Sequence, residues 1–504
     1  MPLVLDERPA AKDARNCGLP VSPPLATWAC GKQKQATPVR FTHIFFAMIF
    51  HSINPATGRQ VKRYTAHSTA QTGKRITRAQ QCWLQWRETA LADRAQLLVK
   101  LALVLEQRKE EMAILMAVEM GKPLKDGRAE IDKCASVCRY YAEHGTSFLA
   151  DQAVATAAAS SYVSFQPIGL VLAIMPWNFP FWQVFRFLAP ALMAGNCGLL
   201  KHASNVPGCA LAIESLVAEA GFPAGVFQTL LLGSGAMNDV IAHPLVKAVT
   251  LTGSTEAGRK VAEKAGSLLK KTVLELGGSD PYLVLADADL GEAAAACASS
   301  RLINNGQSCI AAKRFIVAAS VEKDFTALFC AEMSRRTTGD PFDPETDLGP
   351  MARADLRNEL HEQVLQNIRA GARCLTGGTV PQKQGNHAFY QPTVLSGVKK
   401  GMPAFSEEIF GPVASIIRAR DTRHAVELAN GSIFGLGAAV FTRNAALAES
   451  LARNQLQAGS CFVNDLVRSD PRLPFGGINQ SGYGRELGEF GIHEFVNIKT
   501  VYIS

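Results

Sequence analysis

Residues 169–176 read GLVLAIMP, a short run of Val, Ile and Leu without polar alternation, bounded by glycine and proline. A strand with one solvated face alternates apolar and polar residues, so a continuous run predicts a strand covered on both faces. CGLLKH (197–202), GVFQTLL (225–231) and VKAVTLTGS (246–254) repeat the pattern, each followed by a helical or loop segment. Buried runs alternating with helices predict a parallel α/β sheet. Beyond residue 276 a second series follows: PYLVLADA (281–288), RFIVAAS (314–320), ASIIRAR (414–420) and GAAVFTR (437–443). The chain therefore reads as two α/β domains, and its 504 residues are too many for one ordinary core.

Working outward, residues from about 79 to 149 read as helical: 94–122 place apolar side chains at three- and four-residue spacing, and Gly121 and Pro123 end that helix. SSYVSFQPIG (160–169) alternates like a strand and predicts an exposed ribbon available for subunit pairing. Residues 1–50 are Pro-rich, carry Asp6, Glu7 and Asp13, and lack periodicity. They read as a loosely held extension, or as sequence preceding a natural start at Met48, since HSINPATG (51–58) looks like the opening of a globular domain. The apolar stretch 41–50 is too short to span a bilayer.

Composition narrows the function classes. With 47% hydrophobic and 19% charged residues the chain has the make-up of a soluble globular protein. Its 52 Lys and Arg against 44 Asp and Glu give a net charge of +8, with no basic block, which speaks against nucleic acid but favours small anionic ligands. Twelve dispersed cysteines without a convincing signal peptide predict free thiols in a reducing, cytoplasmic setting. Cys134 and Cys138 lie one helical turn apart without further ligands nearby, so they read as helix packing, and no metal is expected.

Four stretches carry chemistry. In NNGQSC (304–309), Gly306 permits a sharp turn and small polar neighbours keep Cys309 accessible, as a nucleophilic thiol with a lowered pKa requires. In ELGGSDP (275–281), Glu275 ends a buried strand at a sheet edge; taken alone it reads first as a cap for the next helix, but paired with Cys309 it reads as a general base if desolvation raises its pKa. In PWNFP (176–180) two prolines fix Asn178, whose amide can donate to an oxyanion or simply occupy a turn. LTGSTEAG (251–258) leads from strand into helix, where Gly253 and Ser254 either hold a pyrophosphate or cap the helix. No G-x-G-x-x-G fingerprint sits at a strand–helix junction.

Together and in order, PWNFP, Lys201, LTGST, ELGGSDP, NNGQSC, EEIFGPV (407–413) and PFGGINQSGYGRE (474–486) resemble the aldehyde dehydrogenase superfamily, from about Ile53 to the C-terminus. MPWNFPFWQVFR, LLKHASN and CIAAKRF look most like bacterial succinate-semialdehyde dehydrogenases that accept NAD or NADP. The resemblance implies a Rossmann-type cofactor domain (51–148 and 168–276), an α/β catalytic domain (277–489) and a small β ribbon for oligomerisation (149–167 and 490–504). It also implies a homodimer or homotetramer, with the ribbon and the C-terminal strand pairing between subunits. By resemblance Cys309 attacks the aldehyde, Asn178 and the Cys309 N–H hold the oxyanion, and Glu275 activates the water that hydrolyses a thioester. Lys201 and Glu408 would hold the cofactor riboses, with Ser254 near the pyrophosphate, Phe410 beside the nicotinamide ribose, and Pro176, Trp177 and Gly253 lining the cofactor site.

Three departures bear on specificity. Ser204 stands where strictly NAD-preferring relatives often carry a Glu that would repel a 2′-phosphate, so both cofactors are expected to bind. His202 replaces a common Pro and reads as a surface histidine. Arg186, with Gln183 one turn earlier, matches an Arg that binds the succinate carboxylate, but Ile303 replaces the second Arg; Arg468 and Arg472 are candidates to compensate, or are solvated. Succinic semialdehyde is the expected substrate, with another small or neutral aldehyde, or a thiol esterase activity, as alternatives.

Overall fold

The computed structural model describes residues 48–381 and 387–504. The expectation for the N-terminal extension lies, up to residue 47, outside them. A hairpin of Ile49–Ile53 with Gln60–Thr65 opens the described fold, two residues before the expected boundary.

The first series of apolar runs forms a six-stranded sheet in the order Gly482–Tyr483, Lys271–Glu275, Val246–Thr252, Leu170–Met175, Cys197–His202, Phe227–Thr229. Its five long-range neighbours are parallel except at Gly482–Tyr483, which runs antiparallel to Lys271–Glu275. Leu170 to Ala173 have no exposed surface, as an uninterrupted apolar run requires. The second series forms a seven-stranded sheet, in the order Arg373–Thr376, Thr393–Ser396, Val413–Ala419, Arg314–Ala318, Pro281–Val284, Gly437–Phe441, Ser460–Val463. Alternate residues of its central strands feed separate cores: Phe315 and Val317 pack with the first sheet's core, Ile316 and Leu283 with a second cluster.

The segment 94–122 is two helices, Leu91–Gln107 and Lys109–Met120, broken at Arg108. Gly121 ends the second in the left-handed region at φ +77°, where a Cβ would also meet the Pro350 ring at 2.6 Å. Leu124–Phe148 follows, and buries Cys134 and Cys138 completely. The alternating ribbon is the strand Ser160–Pro167. Contrary to the expected pairing between subunits, it pairs antiparallel with Val496–Ile503 of its own chain, flanked by the short strand Gln152–Ala153. Eight residue pairs in register satisfy one edge of each strand internally. Among the described residues no helix is long and apolar enough to cross a membrane.

Candidate active site

Cys309 follows a turn whose backbone is forced. Asn304, Asn305 and Gly306 are consecutively left-handed, at φ +53°, +58° and +73°. Asn tolerates this region better than most residues; at Gly306 a Cβ would strike the Gly411 backbone, so only glycine fits. The loop is bolted down on every side. Asn305 donates to the carbonyls of Gly121 and Pro350 and accepts from Gly349 N–H at 2.9 Å, and the Gln307 Oε1 accepts from Ala352 N–H. Arg301 donates to Gly306 O at 2.5 Å. Neither Arg301 nor the second Asn was anticipated; buried charge on an otherwise apolar helix was the available signal.

Two cavities meet at the half-buried Cys309. The smaller, about 200 Å³, is lined by Pro176, Trp177, Asn178, Thr252, Gly253, Ser254, Gly277, Glu408 and Phe410, with Gln183 shared. Most of the expected cofactor residues are thereby brought together. Trp177 and Phe410 stand edge-to-face at 5.8 Å, and a Cβ on Gly277 would reach Glu408 Oε2 at 2.5 Å, so glycine keeps this wall open. Apolar planes, a carboxylate and a helix N-terminus are a donor set suited to a nicotinamide riboside and its pyrophosphate. Ser254 caps the helix Thr255–Gly266 through Ala257 N–H at 3.3 Å. Lys201 lies beside Ile174 in register, its ammonium pulled below the usual lysine range by burial. Ser204 lies outside this cavity, on two neighbouring ones with Asn205 and Ala203.

The larger cavity, about 460 Å³, is lined by Gln183, Arg186, Ile303, Arg468 and Phe475, and also by Lys133, Trp182 and Ser469. Arg186 is present but not free: it pairs with the buried Glu486 and lies over Phe475 at 4.6 Å. Arg468 is bound by Asp465 at 2.6 Å and exposed. Arg472 does not line the cavity; Asp470 holds it in solvent at 2.6 Å, which removes it as a substrate candidate.

Asn178 donates from Nδ2 to Gln307 O at 3.0 Å and accepts from Gln183 at 3.1 Å. An amide nitrogen has two hydrogens, so one remains for an oxyanion beside Cys309. Burial pushes the Cys309 thiol up to about 12, while the Arg186 and Lys313 cations pull it down. The lowered pKa expected from the loop is therefore corrected: no cation touches the sulfur, Arg186 is neutralised by Glu486, and Lys313 spends itself on the carbonyls of Ser308 and Cys309 and on Glu408. Glu275 ends its strand as expected, but its carboxylate lines neither cavity and both oxygens are buried without a hydrogen-bond partner. Burial first, then Glu486, hold it well above the usual carboxylate range.

His202 is a second correction. It is buried, not on the surface. Its Nδ1 accepts from Ala203 N–H at 2.9 Å, so Nε2 carries the proton and donates to Pro180 O at 2.9 Å. It pins the end of the loop that presents Asn178. Glu130 pins the same loop from the other side, accepting from Phe181 and Trp182 N–H at 2.9 Å each and pairing with Lys122.

A half-buried thiol beside an amide donor, set where a cleft suited to a nicotinamide riboside meets a second, cation-lined cavity, fits an oxidoreductase that works through a covalent sulfur intermediate. The chain belongs to the aldehyde dehydrogenase family, whose model matches residues 47–501. It is 50% identical over 457 residues to a probable succinate-semialdehyde dehydrogenase [NADP(+)] of Synechocystis, covering 91% of this chain and all of that relative. Succinate-semialdehyde dehydrogenase [NADP(+)] 1 of Mycobacterium bovis is 48% identical, over 90% of this chain and 99% of the relative. Among solved structures, succinic semialdehyde dehydrogenase from Streptococcus pyogenes, in complex with NADP+, superposes with a TM-score of 0.88 at 37% identity, covering 90% of this chain and 99% of that one.

Proposed function

We propose that this enzyme oxidises succinic semialdehyde to succinate with NAD or NADP, through a thioester on Cys309. The observation that carries the reading is the junction of the two cavities at Cys309, one shaped for the cofactor and one lined by cations. A nicotinamide cofactor held in the smaller cavity would supply the hydride acceptor. Cys309 Sγ gives its proton to solvent water and bonds to the aldehyde carbon, and the free Asn178 Nδ2–H and the Cys309 N–H receive the developing oxyanion. Loss of hydride from that carbon leaves the thioester. Glu275, swung from its buried position, takes a proton from water; the hydroxide adds to the thioester carbon and the C–S bond breaks, returning thiolate and carboxylic acid. Lys201, Glu408, Phe410 and Ser254 would hold the cofactor, and Ser204 leaves room for a 2′-phosphate.

The ribbon and C-terminal strand support assembly into a homodimer or homotetramer, because Ile498, Tyr502 and Ile503 stay half exposed beside a free strand edge. The proposed division into cofactor, catalytic and ribbon segments draws support from the three larger sheets, although Gly482–Tyr483 crosses from the catalytic segment into the six-stranded sheet. Free, mostly buried thiols fit a cytoplasmic setting.

The test is a steady-state aldehyde panel with both cofactors. Succinic semialdehyde should exceed hexanal in kcat/KM, and Ser204→Glu should lower the NADP/NAD efficiency ratio at least tenfold. Equal turnover of hexanal contradicts the substrate reading. A wild-type NADP/NAD ratio below about a hundredth, roughly 2.7 kcal/mol, contradicts the cofactor reading.

A further inference from the structure

The mechanism leaves one fully buried ammonium unused, and it spans the two halves of the site. Lys313 stands immediately before the strand Arg314–Ala318, between the central strands of the seven-stranded sheet. Its N–H donates to Asp280 O at 3.1 Å and its carbonyl accepts from Ser415 N–H at 3.0 Å, so the root of the side chain is as fixed as the sheet. Its Nζ donates to Cys309 O at 2.5 Å and to Ser308 O at 2.9 Å. The third neighbour is Glu408 Oε1 at 3.5 Å, an oxygen that also accepts from Gly278 N–H at 3.0 Å. An ammonium has three donors, and here each has an acceptor.

Among the described residues no other side chain donates to the Ser308 or Cys309 carbonyls, which follow directly on the three left-handed residues and Gln307. Gly278 leaves room for the arrangement, since a Cβ there would meet Cys309 O at 2.8 Å. The other oxygen of Glu408, Oε2, lies on the side of Gly277, where the smaller cavity runs. We propose that Lys313 is a positioning residue that holds the nucleophile and the cofactor carboxylate in one frame. Its ammonium aims the Ser308–Cys309 backbone and anchors the inner oxygen of Glu408, leaving the outer one for a ribose, and its charge offsets that of Glu408 beside the thiol. The ribose part rests on the cofactor reading of Glu408 above; the part that concerns the thiol needs no cofactor.

The charges around the two groups bear this out. Burial lowers the Lys313 ammonium below the usual lysine range; Glu408, then Asp280, oppose the shift, and Arg301 adds to it. Asp280, whose Oδ1 accepts from Gly437 N–H at 3.1 Å, is itself raised to about 7, chiefly by burial. Around the thiol, burial outweighs all else; Arg186 and Lys313 favour the thiolate, and Glu408 and Glu275 oppose it. Lys313 and Glu408 thus act on Cys309 with opposite signs, and each masks part of the other's effect.

The test is the rate at which iodoacetamide alkylates the peptide containing Cys309 in the full-length, cofactor-free enzyme. Wild type is compared with Lys313→Met, Glu408→Gln and the double variant. A nearby charge moves a titrating group by about one pH unit or more, so at about pH 9 Lys313→Met should react roughly tenfold more slowly and Glu408→Gln roughly three- to tenfold faster. The double variant should return to within about threefold of wild type, because the two charges are removed together; a loop that had merely collapsed would stay slow. In steady state with NADP, Lys313→Met should lower kcat roughly ten- to a hundredfold through the misaimed Cys309 N–H, with KM for the aldehyde changed about threefold at most. A Lys313→Met enzyme alkylated as fast as wild type overturns the proposal, and so does a slow one that the double variant fails to restore. If Lys313→Met does not fold, a Glu408→Gln enzyme that is no faster than wild type overturns it in its place. An NADP dissociation constant unchanged by Glu408→Gln would instead overturn the cofactor reading of Glu408.

Discussion

At the scale of single residues the resting site is chemically quiet. Burial pushes the Cys309 thiol up to about 12, so it is protonated near pH 7, and it raises the Glu275 carboxyl as well. Without cofactor, alkylation of Cys309 should still be rising at about pH 10, where an ordinary thiol has levelled off; NADP should accelerate it at pH 7, and a plateau near pH 8 would contradict the buried thiol. Glu275→Gln should separate the two half-reactions. It should release one reduced cofactor per site in a burst and then slow turnover roughly a hundred- to ten-thousandfold; full steady-state turnover would remove Glu275 as base. His202 carries a stability prediction. Its imidazole is lowered to about 4 from an ordinary 6.5, mainly by burial. A depressed folded-state value gives stability that is complete above pH 6.5 and lost as pH falls towards 4. Wild type should therefore lose about 3 kcal/mol more unfolding free energy than His202→Gln over that window, measured by denaturant titration at pH 7 and pH 4.

At the scale of elements, placement comes from loops fixed at both ends. Glu130 satisfies the first N–H groups of the helix Trp182–Met193, and His202 holds Pro180. Glu130→Ala should unseat the helix bearing Gln183 and Arg186, cost about 3–5 kcal/mol by stranding buried Lys122, and lower kcat. A melting temperature equal to wild type would contradict this. Gly306→Ala should abolish activity even where the protein remains folded, since it drives a methyl into the Gly411 backbone. The strands were legible in the sequence because burial on both faces leaves uninterrupted Val, Ile and Leu. The nucleophile loop and PWNFP were legible because glycine and proline mark constrained backbone. What was not legible is long-range pairing. Nothing near Arg186 reveals that Glu486, three hundred residues on, will neutralise it, and nothing near His202 reveals the carbonyl of Pro180. Side-chain charge is read locally in a sequence but balanced globally in a fold.

At the scale of the molecule, two sheets bring their strand ends to one thiol, and the third sheet stands apart from the chemistry. Truncation before Val496 removes one strand of that sheet and bares Ser160–Pro167; sedimentation should then show loss of the proposed dimer or tetramer, and an unchanged assembly would place any subunit contact elsewhere. The central claim is narrower: the aldehyde becomes a thioester on Cys309. The most direct measurement is the intact mass and peptide map of Glu275→Gln quenched after mixing with succinic semialdehyde and NADP. The account predicts one succinyl group per chain, on the peptide containing Cys309 and absent from Cys309→Ala. Reduced cofactor formed with no covalent adduct, or an adduct on another cysteine, would contradict it.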